Sequence, residues 1–301
     1  LNARTITFTD PQVDGDLDTN SFLYTDGGVL PNSIAPSCQF TTRSADRLWF
    51  GGLWDPTIIQ CSKIIVPGEP VQTPDSDAFR VQLLRPCTGI AYMDGQLIAF
   101  AKDAIFLIGG DGPNDQGNGS FSVRPFTVTI GCIDYRSILE TEDGVFFQSA
   151  HGIYIIPRGF SPPQFIGAGI QDEMRVSGSS DKPREILGTV FSQTPQGQYA
   201  CFLLNSTVDN NGGNEVALLD TDTNEWFLDN RINGSREIGY ITSGSSTSIG
   251  PGYMLAAASF NSSTGVVWPV AYESLTDHFG YTTLDNVQFV KSMSIVTSWL
   301  T

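Results

Sequence analysis

The chain has 301 residues, with 32 acidic against 16 basic side chains and a formal net charge of −16. That surplus argues against a nucleic-acid binder, which needs a basic stripe to displace counterions from phosphate. About 40% of the residues are hydrophobic and 11% aromatic, enough for a substantial core, and Gly and Pro are plentiful without a short period, which excludes collagen and favours many turns.

The length suits one large all-β domain or two ordinary ones. The acid is clustered. Thr5 to Thr42 holds no Lys or Arg but carries Asp10, Asp14, Asp16, Asp18 and Asp26, and Ala200 to Asn230 repeats the bias with Asp209, Glu215, Asp220, Asp222, Glu225 and Asp229. Five scattered cysteines, Cys38, Cys61, Cys87, Cys132 and Cys201, form no C-x-x-C pair. They read as reduced thiols in apolar slots, neither a disulfide frame nor a zinc site. No apolar run approaches a membrane span and no signal peptide is visible. The missing initiator Met, and an end at Ser-Trp-Leu-Thr inside a strand-like pattern, lead us to expect a fragment of a longer polypeptide.

In chain order, residues 1–9 alternate as one strand, Pro11 to Asn20 is an acidic loop, and Phe22 to Thr25 is short and apolar. Arg47 to Gly52 is a strand ending on a Gly pair, with Thr57 to Val66 as its hairpin partner and Pro67 to Asp77 as a loop. Residues 89–110 and 137–159 are two copies of one pattern: an apolar run, an Asp-Gly turn, a second apolar run, a polar turn and a third apolar run. Asp-Gly between alternating apolar residues predicts a tight hairpin, because such a turn needs the positive φ that Gly and Asp tolerate. Phe121 to Ile130 reads as a fourth, outer strand. The pattern returns in Leu187 to Phe191, Gln198 to Leu204 and Glu215 to Leu219, with a hairpin leading to Trp226, and again in Glu237 to Thr242, Tyr253 to Phe260 and Val266 to Tyr272. Only 171–176 hints at a helical turn.

One equivalent point, the start of each second strand, falls at Leu48, Leu97, Val145, Tyr199 and Tyr253, a spacing of about 50 residues, the sequence mark of a β-propeller. A lone meander cannot stay folded in water; stacked face to face, each buries what it could not bury alone. The sequence therefore predicts a single all-β domain over 1–301, a β-propeller of about six blades (five to seven), each a three- to four-stranded antiparallel meander. Its units lie near 38–66, 88–130, 135–168, 185–230 and 236–273. The ends, 1–9 and 286–300, either close the ring or lead to a second domain. A β-sandwich is the competing architecture and does not predict the spacing.

The chemistry-bearing residues read as structural. His151 and His278 are the only histidines and sit in turns, without partners for a triad or a metal site. Asp14, Asp16 and Asp18 alternate as in a calcium loop, but Thr19 and Thr25 stand where an EF-hand needs Gly and Glu. The loop with Asp111, Asn114, Asp115 and Asn118 has oxygen ligands for a cation, yet as a Gly-rich turn it requires none. Propeller glycosidases place paired carboxylates on the axis, and Glu140, Glu142 and Asp143 are the candidates here; the turn at Asp143-Gly144 accounts for them without catalysis. Trp226, after Asp-Thr-Asp-Thr-Asn-Glu, resembles the kelch hairpin indole that packs between blades; Trp49 and Trp268 read alike. The sequons at Asn118, Asn205, Asn233 and Asn261 mean nothing without a secretory route. No catalytic, cofactor-binding or metal-binding residue is assigned, and no cofactor is expected.

Several strings together carry a resemblance: Leu23-Tyr-Thr-Asp-Gly-Gly-Val-Leu, Pro36-Ser-Cys38, Arg47-Leu-Trp-Phe-Gly-Gly-Leu, Ser62-Lys63, Ile108-Gly-Gly-Asp-Gly-Pro-Asn-Asp-Gln-Gly, Gly131-Cys132, Arg136-Ser137 and Asp143-Gly-Val-Phe-Phe-Gln-Ser-Ala-His-Gly-Ile-Tyr. Over residues 20–160 the chain resembles structural proteins of tailed bacteriophages, mostly short-tailed (podovirus-type) ones: the propeller-containing tail tube or nozzle proteins below the portal and adaptor rings. The remainder is similar only in blade pattern. The resemblance implies a non-enzymatic virion tail component in a hexameric ring around the DNA ejection channel. Its implied partners are itself, portal, adaptor and other tail proteins, and tail fibres. DNA would pass the lumen without specific binding, and no stable membrane insertion is expected. Two rivals stand beside this reading: a carbohydrate-binding or glycan-degrading propeller, and a cellular protein-interaction propeller.

Overall fold

The computed structural model describes residues 28–172, 174, 184–194, 197–205, 215–229, 238–246, 250–257 and 271–274. Within them the chain is all-β and every strand pairing is antiparallel. The only helical elements among the described residues are short 3-10 turns at Asp77–Phe79, Tyr135–Ser137 and Gly167–Ile170.

A two-stranded ribbon pairs β1 (Asn32–Ser33) with β5 (Thr73–Pro74). The first large sheet is β2 (Phe40–Arg43), β3 (Leu48–Gly51), β4 (Ile58–Cys61) and β6 (Arg80–Gln82). The second is β7 (Gly89–Met93), β8 (Gln96–Phe100), β9 (Ile105–Gly109) and β10 (Ser122–Thr127). The third is β11 (Leu139–Glu140), β12 (Gly144–Ser149), β13 (Gly152–Pro157) and β14 (Gln164–Phe165). The fourth is β15 (Ile186–Thr194), β16 (Gly197–Leu204), β17 (Glu215–Asp220) and β18 (Glu225–Asp229). The fifth has three strands, β19 (Ile238–Ser246), β20 (Gly250–Ala257) and β21 (Ala271–Ser274). Leu48, Leu97, Val145, Tyr199 and Tyr253 each fall in the second strand of their sheet.

The first four sheets stack face to face in sequence order, and strand alternation shows why. Within the second sheet, Ile90, Leu97, Ala99, Phe106 and Ile108 join Trp49, Ile59 and Val81 of the first sheet in one core layer. The opposite-facing Ala91, Ile98, Phe100, Ile105 and Leu107 join Val145, Phe147 and Ile156 of the third. Phe146 and Ile153 then pack with Ala200, Phe202 and Ala217 of the fourth, whose other face carries Cys201, Leu203, Val216 and Leu218. Both faces of the middle sheets are buried, so their strands read as continuous apolar runs. Each fully buried large side chain contributes about 1.5–3 kcal/mol. The first strands lie side by side along one edge of the stack: β2 contacts β7, β7 contacts β11, β11 contacts β15, and β15 contacts β19.

Two expectations need correction. The first unit extends past residue 66 to Gln82, and the loop expected over 67–77 contains β5. The reason is local. Lys63 leaves the ladder and bonds its N–H to the Gln72 carbonyl at 2.8 Å, ending β4 early, while β6 has one buried residue, Val81, between exposed Arg80 and Gln82. Such a strand is too short to register as periodicity. The second correction concerns turns. Asp94-Gly95 is the expected two-residue hairpin, with φ of 47° and 81°. In the second copy the turn residues are Glu142-Asp143, closed by Thr141 N–H to Gly144 O at 2.9 Å, and Gly144 already belongs to β12. No closed ring of sheets is present among the described residues; 1–9 and 286–300, expected to close it, lie outside them.

Candidate functional site

Three polar features stand out because their groups are buried or bridge several sheets. The first is Arg47, at the end of the β2–β3 turn and only 2% exposed. Among the described residues its guanidinium meets no carboxylate at ion-pair distance. Instead Nη1 donates to Ser62 O at 2.9 Å, and Nη2 to Asp111 O at 3.1 Å and Pro113 O at 2.6 Å. The rings of Phe79 and Phe121 lie 5.9 and 5.7 Å from its central carbon. A buried cation is tolerated only when hydrogen-bonded, and here backbone carbonyls do that work. Lys63, 3% exposed, follows the same logic: Nζ donates to Leu30 O at 2.5 Å, while Leu30 N–H donates to Asp115 O at 2.9 Å. Segments around residues 30, 47, 63 and 111–115, far apart in sequence, are thus one joint.

The second feature is Glu140 in β11. One carboxylate oxygen accepts the Tyr92 N–H of β7 at 2.9 Å and, more loosely, the Thr42 hydroxyl of β2 at 3.4 Å. A single side chain ties the first strands of three consecutive sheets. Desolvation, the largest influence, pushes its pKa above the usual carboxylate range against the two hydrogen bonds, which lower it. Beside it, Asp94 accepts Gly159 N–H at 3.0 Å and pairs with Arg158 at 2.6 Å, joining the second and third sheets. The Gly159 bond, first, and Arg158 hold its carboxyl below the usual range.

The third feature is a cleft of about 200 Å³ where the β2–β3 turn, the β7–β8 turn and the start of the β9–β10 loop meet. Asp46, Arg47, Trp49, Tyr92, Asp111 and Phe121 are among its walls. Other polar groups link segments as Arg47 does: the buried Gln148 amide donates to Arg184 O and accepts Ile186 N–H at 3.1 Å, and the half-buried Thr88 donates to Cys132 O at 2.6 Å. None of Arg47, Lys63, Gln148 and Thr88 was singled out as a site residue from sequence. For Arg47 and Lys63 the one available signal is a basic side chain directly ahead of an apolar run, Leu-Trp-Phe and Ile-Ile; Gln148 and Thr88 carry none.

The residues weighed from sequence are dispersed. His151 is exposed in the Ala150-His151 turn. Glu142 and Asp143 occupy their turn, apart from the bridging role of Glu140. In the 110–119 loop the Asn114 side chain accepts Gln116 and Asn118 N–H at 3.0 and 2.9 Å, and Arg47 holds the carbonyls. Among the described residues, no three His, Cys, Asp or Glu gather as metal ligands. Trp49 packs 4.8 Å from Phe121 between the first two sheets. Trp226 lies between the third and fourth, donating Nε1–H to Ile166 O at 2.9 Å. All five cysteines are free; burial pushes Cys61, Cys87 and Cys132 up to about 12 and raises Cys201 further, so none is an activated nucleophile. His278, Trp268, Asp14, Asp16 and Asp18 lie outside the described residues.

No family model matches the chain. No curated protein matches it either. Among solved structures, one similar chain is a candidate exported protein of Bacteroides fragilis NCTC 9343, at 11% identity and a TM-score of 0.29, over 77% of this chain and 80% of that one. A TM-score that low assigns neither fold nor function.

Proposed function

We propose that this chain is a structural component of a phage virion tail, a propeller-like wall module of the tail tube or nozzle that assembles in a ring around the DNA ejection channel. The observation that carries the reading is the Arg47 joint. The strings behind the phage resemblance, around Arg47, Ser62-Lys63 and Asp111 to Pro113, meet at buried side chains bonded to backbone carbonyls. Groups used in that way fix the position of loops, which suits a rigid wall module. Sheets stacked in sequence order with their first strands adjacent suit blades around an axis. A closed ring of about six blades remains part of the proposal.

The acid surplus has a role in this reading: carboxylates facing a DNA conduit repel phosphate and keep the genome sliding. Neutralising lumen-facing acids slows ejection if that holds. The direct test is the mass of the purified full-length protein together with an image of the assembled particle. A ring oligomer located below the portal is expected. A monomer at every concentration, or particles lacking the chain, overturns the reading. The glycan-degrading rival requires a second carboxylate working with Glu140, and hydrolysis of surface glycan by the purified chain is the result that would favour it.

A further inference from the structure

Exposed apolar side chains are unevenly spread over the molecule. Of the twelve large ones among the described residues, seven fall in residues 29–84, the first sheet and its ribbon. They gather at two places. At the β3–β4 turn Trp54 is fully exposed. Leu84 is nearly so, on the segment beside that turn, where Thr57 O accepts Leu83 N–H at 2.8 Å and Pro56 O accepts Cys87 N–H at 2.7 Å. Past the other end of β4, Ile64 and Val66 are exposed, with Val71 and Ile34 on the strands alongside. Those strands are held by Lys63 N–H to Gln72 O at 2.8 Å and by the β1–β5 pairing. Exposed apolar patches of this kind mark interaction surfaces.

The Trp54 turn is held without its indole: Asp55 Oδ1 accepts the Thr57 N–H at 2.9 Å and the Thr57 hydroxyl at 2.6 Å, and Asp55 O accepts Ile58 N–H at 3.1 Å. A tryptophan on a fixed turn loses little freedom on contact, and tryptophan is enriched among interface hot spots. Charge selects the occupant. Residues 28–88 carry five acidic and five basic side chains, a balance of zero, while the whole chain stands at −16. A basic partner is drawn to the acidic remainder and an acidic one is repelled by it, whereas copies of this chain, which repel each other elsewhere, meet through the neutral unit. Area agrees. A standard interface takes about 800 Å² from each partner, a little over half of it apolar, and a Trp alone brings about 150–250 Å². Trp54 with Leu84 thus supplies a large part of one side. Two unlike patches at opposite ends of one strand make the contact heterologous, the kind that closes rings. We infer that copies of this chain join head to tail through the first sheet, the Trp54–Leu84 patch of one copy seated on the Ile34–Ile64–Val71 patch of the next; this rests on the ring reading and names its contact.

The test is sedimentation velocity on the full-length protein as wild type, Trp54→Asp and Ile34→Asp. The wild type is expected as a ring oligomer. Each variant puts a charge into one patch and should raise the dissociation constant about thirtyfold or more, the loss of one hot spot, leaving monomers. Both side chains are exposed, so the fold should survive, which circular dichroism checks. Mixed in equal amounts, the two variants should form dimers that grow no further, because each keeps the patch the other has lost. Rings unchanged by either substitution, or a mixture that stays monomeric, overturns the inference and leaves the ring reading standing. A wild type that is monomeric at every concentration overturns both. Hydroxyl-radical footprinting of the unmodified oligomer gives a second readout that needs no variant. Trp54 should be oxidised less in the oligomer than in diluted monomer, and equal oxidation in the two states overturns the contact.

Discussion

At the scale of single residues, the chain places its charges where backbone needs them. Arg47 supplies donors to three backbone carbonyls from two distant segments. Arg47→Leu removes those donors while keeping apolar bulk, and should cost about 3 kcal/mol in urea unfolding. Arg47→Lys does not restore the loss, because an ammonium lacks the planar fork that spans Ser62 and the 111–113 carbonyls. Glu140 gives a prediction of sign. Its folded pKa is raised, so its neutral form is favoured by the fold; the stability it contributes is fully present below the unfolded value of about 4.5 and is lost as pH rises through the folded pKa. Glu140→Gln keeps an acceptor for Tyr92 N–H without the charge. Its melting temperature should match or exceed that of the wild type at neutral pH and fall less steeply than the wild type's as pH rises from 4 to 7, measured by calorimetry at matched ionic strength.

At the scale of elements, turn chemistry and strand burial set the meanders. Asp94-Gly95 supplies two positive-φ residues in succession and needs nothing else. The second copy shows a different constraint. Gly144 has φ of 153°, and a Cβ there would stand 2.1 Å from Ile156 O of the neighbouring strand. Gly144→Ala must therefore push β12 and β13 apart or break their first pairing, at a cost of about 2 kcal/mol; loss of amide protection at Gly144 and Pro157's neighbours, read by hydrogen exchange, is the check. The Asp-Gly dipeptide announced a turn in both copies but not which residues form it. The same two letters serve as turn in one and as strand start in the other, because the strand on the far side, not the dipeptide, decides the register. The short β6 was illegible for a related reason: one buried valine carries no period.

At the scale of the whole molecule, stability is shared between neighbours. Phe100 and Phe147 meet at 5.1 Å across the second and third sheets, and Phe146 and Phe202 at 6.2 Å across the third and fourth. Phe147→Ala should cost about 3–5 kcal/mol. Its loss should raise exchange in β8 and β9 as well as in β12, because the cavity opens on both sheets. Exchange confined to the third sheet would mean that the sheets are energetically independent and would count against blade-like stacking.

By itself the sequence determined that the chain is all-β, where most of its strands run and that they recur about every 50 residues, since alternation, apolar runs and Asp-Gly turns are local properties written along the backbone. It also pointed to Trp49 as core and to Trp226 as packing between sheets, and the structure buries the first and sets the second, half-buried, against the core. Only the tertiary structure decided which polar groups matter. Arg47, Lys63, Gln148 and Glu140 act on carbonyls and amides tens of residues away, and a hydrogen bond to backbone leaves no pattern in the sequence of its partner, since every residue but proline presents the same N–H and every residue the same C=O.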